Sequence, residues 1–236
     1  MYDAEGHNAP INPLPPVVTL LVVLIAAVEA IFQLGEAGII GGATGAAWRI
    51  MIADQFGFSN AAVYLMWDTG QYPPELMLRF VSYMFVHANF VATLFSVVFI
   101  LALGKFVAER VHWLAFLAIF VGSGILAALA QAIVMGPTKA MLGAGAASYG
   151  LIGALSWILF TEQRAAGQNG LRAFRLIAAL GVLLAVFSIL FGGHDWFERV
   201  AGFFIGFGIC AALRPVAGAG LTYWRDRMRR GRDMDI

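Results

Sequence analysis

Long apolar stretches separated by short polar ones set the architecture of this chain. Runs of about 20 predominantly apolar residues are long enough to cross a bilayer as helices. Six can be placed, near Val17–Leu34, Leu78–Leu103, Trp113–Met135, Leu142–Phe160, Leu176–Phe191 and Phe197–Leu213. The first begins after Pro13, Leu14, Pro15 and Pro16, and proline suits the first turn of a helix rather than its interior. Between the first two runs, residues 35–77 break the pattern. This segment holds a short helix-like stretch, Trp48–Ala53, then Phe56, Phe58, Tyr64 and Trp67, and closes on Gln71, Tyr72, Pro73, Pro74 and Glu75. Amphipathic aromatics favour the membrane interface, so the segment is expected to lie partly among the headgroups without crossing.

Composition agrees with the pattern and excludes a water-soluble globule: 61% of residues are hydrophobic and 12% charged, with a mean hydropathy of +0.81. Backbone polar groups inside lipid must be satisfied within the chain, which selects helices. The expected fold is therefore all-α and polytopic. It divides into a short tail (1–14), a six-helix membrane domain (15–214) and a basic tail (215–236). Residues 1–14 carry neither a basic n-region nor a small-residue cleavage site, so the first span is expected to be retained.

The net charge of +1 says little, but its distribution sets an expected topology. Lys105, Arg110, Arg164, Arg172, Arg175, Arg214 and the run from Arg225 to Arg232 share one side; Arg49, Arg79 and Lys139 fall on the other. The positive-inside rule then places both termini in the cytoplasm, and a bacterial inner membrane is the expected location. No basic face suited to nucleic acid is present, so the expected partners are membrane lipids and other integral membrane proteins or transmembrane helices. Cys210 is the single cysteine and is read as a packing residue. His7, His87, His112 and His194 do not pair at ligand spacing, so no metal and no cofactor are expected.

Three stretches carry a resemblance. Arg79–Phe90 (RFVSYMFVHANF) is followed by Gly104 and Glu109-Arg110; the frame from Gly143 reads GAGAASYGLIGA; and Val200–Gly206 reads VAGFFIG. In order and spacing these resemble the rhomboid intramembrane serine proteases, over roughly Arg79 to Gly206. The resemblance implies a six-helix bundle. It also implies where the chemistry would sit. The family's nucleophilic serine lies four residues before the tyrosine of the fourth helix, Tyr149 here, and that position is Gly145. Its general base lies three residues before the first glycine of the sixth-helix pair, Gly202 here, and that position is Arg199. The second-helix histidine and asparagine that stabilise the oxyanion correspond to Ala92 and Ser96, while His87 and Tyr149 keep the family residue.

Glycine supplies no nucleophile. A guanidinium has donors but no acceptor and stays protonated, so it cannot take a proton from a hydroxyl. Alanine donates nothing to an oxyanion, and serine is shorter than asparagine. The resemblance thus implies a degenerate member, a rhomboid pseudoprotease that binds transmembrane clients or serves a larger membrane complex. The alternative is a displaced active site, a divergent intramembrane endopeptidase using Ser148 with His87 or His194. Arg199 itself has two readings. It either snorkels toward the surface with help from Asp195, or fills the former active-site space, braced by Asp195 or Glu198, and either plugs it or receives a lipid or protein carboxylate.

Overall fold

Proline opens the first long helix as its sequence expects. In the computed structural model, which describes residues 14–167, 182 and 196–213, α1 spans Pro16–Glu36 with proline in its first turn. A 3-10 turn (Gly42–Ala47) leads into α2 (Trp48–Phe56), the short strand β1 (Phe58–Ser59), α3 (Asn60–Thr69) and α4 (Pro74–Ser82). Then come a second 3-10 turn (Tyr83–Phe85), α5 (Phe90–Ala108), α6 (Trp113–Met135), β2 (Ala140–Met141), α7 (Gly145–Ala165) and α8 (Trp196–Leu213). The expected fifth span (apart from Val182), together with Arg172, Arg175, His7, His194, Asp195, Arg214 and the basic tail, lies outside the described residues.

Among the described residues, four helices, α1, α5, α6 and α8, are long and apolar enough to cross a membrane. Their outward residues are apolar, among them Leu20 and Ile31 on α1, Leu94 and Val98 on α5, Ile133 on α6 and Phe204 on α8. Side chains of this kind satisfy lipid, and the chain is a multi-pass membrane protein. At 21 residues α7 is as long as the others, but it does not reach their hydropathy. The reason is its position: it packs against α5, α6 and α8, and Ala146–Ile158 is buried at most positions. A helix sheathed by other helices has no lipid to satisfy, so small and weakly polar residues replace leucine there.

Two expected boundaries need correction. The run read as one span from Leu78 is two elements, because α5 starts only at Phe90. Asn89 is fully extended (φ −161°, ψ 168°) and its side chain accepts the Ala92 N–H at 2.9 Å, an N-cap that fixes the helix start. The fourth run begins at Gly145 rather than Leu142, because Ala140 and Met141 pair antiparallel with Ser59 and Phe58. This small ladder is a departure from a purely helical chain, and it ties the 35–77 segment to the approach to α7.

Between α7 and α8 the backbones touch. A Cβ on Gly202 would overlap the Ala146 carbonyl, one on Gly206 the Gly150 carbonyl, and one on Gly153 the Phe203 carbonyl. Such proximity is available to small residues only, and it lets Cα–H groups approach carbonyl oxygens across the interface. The apolar core continues through Phe116, Ile119 and Phe120 of α6, Leu151 and Ile152 of α7, and Val18 and Ile25 of α1.

Asn60 pins the segment to the end of α6. Fully buried, it receives its place from three bonds: its N–H donates to Lys139 O at 2.9 Å, and Nδ2 donates to Gly136 O at 2.6 Å and Gln131 O at 3.4 Å. Gly136 is the C-cap of α6 and Lys139 lies beyond it, so their carbonyls need partners from outside the helix. Asn60→Ala is expected to cost about 1–3 kcal/mol of stability and to raise amide exchange in the last turn of α6. Unchanged protection there would contradict this role.

Candidate functional site

Residues 143–145 form the turn into α7, and the turn is built on His87. Gly143 adopts φ +85°, and a Cβ there would lie 2.8 Å from His87 Cδ2, so both conformation and space call for glycine. The Gly143 N–H donates to Tyr83 O at 2.8 Å, and the Ala144 N–H donates to His87 Nε2 at 3.3 Å. His87 is 3% exposed. Its ring nitrogen is thereby committed to the backbone of the turn.

Arg199, in the first turn of α8, faces Gly145. A Cβ on Gly145 would lie 3.4 Å from Arg199 Nε and 4.0 Å from Cγ, ordinary contact distances. The two positions expected to have lost nucleophile and base are thus neighbours. Glu198 is buried, and its Oε1 lies 4.0 Å from Arg199 Nε. Tyr149, one turn along α7 from Gly145, is partly buried and within electrostatic range of both Arg199 and Glu198. At this meeting of helices one residue offers no side chain and the other offers only donors.

Ser148 is 3% exposed, and among the described residues its hydroxyl has no hydrogen-bond partner. No bond joins it to His87, whose Nε2 already accepts the Ala144 N–H. Ala92 and Ser96 lie four residues apart in the first half of α5, and both are partly buried. Ala92 contributes a backbone N–H to the Asn89 cap. Among the described residues, no group of three His, Cys, Asp or Glu side chains is placed to hold a metal ion.

Among the described residues, a buried polar cluster centres on Arg49, which the charge distribution marks only as a topological residue. Arg49, at the start of α2, is buried and donates from Nη2 to Glu29 Oε1 at 2.7 Å, from Nη1 to Glu29 Oε2 at 3.0 Å and from Nε to Glu36 Oε1 at 2.7 Å. Nη1 also reaches His87 O at 3.2 Å, and the guanidinium lies over the Phe32 ring, 4.8 Å from its centroid. Thr93 Oγ1 donates to Glu29 Oε2 at 2.6 Å and Gln33 Nε2 to Glu29 Oε1 at 2.8 Å. The hydrogen bonds to Glu29 push the Arg49 pKa above its ordinary value, against desolvation. Arg49 thus joins the 35–77 segment to α1 and to the carbonyl of His87, and Glu29 extends the cluster to α5 through Thr93. The signal was Glu29 itself, a carboxylate in an apolar span, which demands a partner.

The comparisons with known proteins agree with this architecture. A family model described as the rhomboid domain matches residues 74–216, more than half the chain. Inactive rhomboid protein 1 of Danio rerio is 28% identical over 155 residues, 65% of this chain but 18% of that protein. The chain therefore spans less than a fifth of this relative's length. With residues 74–216 matched and α7 and α8 packed glycine to backbone at the positions the sequence pattern marks, the chain belongs to the rhomboid family.

Proposed function

We propose that this chain is a noncatalytic rhomboid, a membrane-embedded protein that binds transmembrane clients or serves as a subunit of a larger membrane complex. The observation that carries this reading is the pairing of Gly145 with Arg199 across the α7–α8 contact. A serine would fit at position 145, since a Cβ there meets Arg199 only at contact distance. Even so, the neighbouring guanidinium could not accept its proton. The name of the zebrafish relative, an inactive rhomboid, points the same way. The distribution of Lys and Arg supports a cytoplasmic position for both termini.

A fluorophosphonate probe tests the catalytic half of the reading. The native chain is expected to remain unlabelled, and so is Gly145→Ser, because restoring a hydroxyl without a base restores no nucleophile. Labelling of the native chain that disappears in Ser148→Ala would establish the displaced-site alternative instead. For the binding half, crosslinking in native membranes is expected to trap a stoichiometric integral membrane partner. Recovery of the chain by itself would argue against a client or complex role.

A further inference from the structure

We infer that Arg199 and the start of α7 form a binding site for the phosphate of a membrane phospholipid in the leaflet at which α8 begins. Arg199 is a cation on a transmembrane helix, and its side chain is 22% exposed, so it is neither sealed in the protein nor free in water. Among the described residues its ionic contact is to Glu198 Oε1 at 4.0 Å, too long for a hydrogen bond. Its contacts at the Gly145 notch involve Nε and Cγ, the stem side of the guanidinium. Among the described residues no hydrogen bond engages the Nη side, which can therefore serve an outside acceptor.

Depth identifies that acceptor. Trp196, three residues earlier on the same helix, is 62% exposed, and exposed tryptophan at the end of a span marks the headgroup level. Three residues of helix correspond to about 4.5 Å. Arg199 therefore sits just below the phosphate layer, within the reach of a long side chain that stretches toward it. A carboxylate in the middle of a client helix would lie deeper.

The surroundings favour a doubly coordinated oxyanion. Guanidinium groups bind phosphate through two parallel N–H donors. Gly145 is the first residue of a 21-residue helix, whose N-terminus adds partial positive charge. Because residue 145 has no side chain, nothing from α7 projects between that helix end and the guanidinium. The partly buried Tyr149 lies one turn further along α7 from Gly145, within electrostatic range of Arg199. The inference stands apart from client binding and does not require it.

Native mass spectrometry of the full-length chain, delipidated in detergent and titrated with defined lipids, tests the site. Phosphatidylglycerol and phosphatidylcholine are both expected to give a retained first adduct, whereas diacylglycerol, which lacks the phosphate, is not. Arg199→Gln is expected to weaken retention of that adduct about tenfold or more, and Arg199→Lys to restore part of it. If Arg199→Gln does not fold, the comparison of phospholipid with diacylglycerol on the native chain still decides. Equal retention of diacylglycerol, or phospholipid retention indifferent to Arg199→Gln, would overturn the inference. So would displacement of the lipid by an aspartate-bearing transmembrane peptide, which would reassign the cation to a protein ligand.

Discussion

Arg49→Ala is expected to lower the stability of the folded protein by about 3–5 kcal/mol, because it leaves the Glu29 carboxylate buried without its cation. Glu29 is 5% exposed and receives three donors, from Arg49, Thr93 and Gln33. Removing the strongest of them leaves two neutral donors facing a full negative charge. Reversible unfolding in mixed micelles would measure the effect. Glu29→Gln should cost less than Arg49→Ala, since Arg49 keeps Glu36 at 2.7 Å. The double variant Glu29→Gln/Arg49→Ala should be more stable than the sum of the two single losses predicts, as coupled partners are. A loss below about 1 kcal/mol for Arg49→Ala, the range of an exposed pair, would show that the cluster is solvated and not structural.

Gly206→Ala should also be damaging, for a different reason. The added methyl would overlap the carbonyl, Cα and carbonyl carbon of Gly150, all of them backbone. A flexible side chain could swing away, but a helix must move as a body, and separating α7 from α8 would also disturb the Gly202–Ala146 and Gly153–Phe203 contacts. Overpacking typically costs about 1–3 kcal/mol, occasionally more, and the upper end is expected where only backbone could give way. Gly208→Ala provides the control, since a Cβ there meets nothing within 4 Å, and it should change stability by less than about 0.5 kcal/mol. Equal effects at the two positions would mean that helix propensity, not the interface, governs both.

Much of this arrangement was legible in the residues, and what was not has definite causes. The third span was read with its observed bounds, Trp113–Met135, because nothing polar interrupts it until Gly136. The start of α5 was misplaced because hydropathy averages over α4 and the following turn, whereas the Asn89 cap is a single-residue signal that such averaging hides. The neighbourhood of Gly145 and Arg199 is what the family resemblance implies, since it puts nucleophile and base at these two positions, and no pattern in the residues would show it without that resemblance. Arg49 was missed, since a count of charges by side treats every arginine as exposed. Asn60 was missed for a related reason: a buried asparagine in a connecting segment earns its place through carbonyls far along the chain, which no local pattern reveals.

The two-rung ladder between Phe58–Ser59 and Ala140–Met141 has a consequence in time as well as in space. Its halves are separated by two complete membrane helices, α5 and α6, so the first half must wait, unpaired, while both are synthesised and inserted. Distant pairings of this sort close late, after the chain entropy of the intervening loop has been overcome. The approach to Gly145 therefore takes its final shape only after three spans are in place, so the turn beneath Arg199 is among the last features of the described chain to be completed during biogenesis.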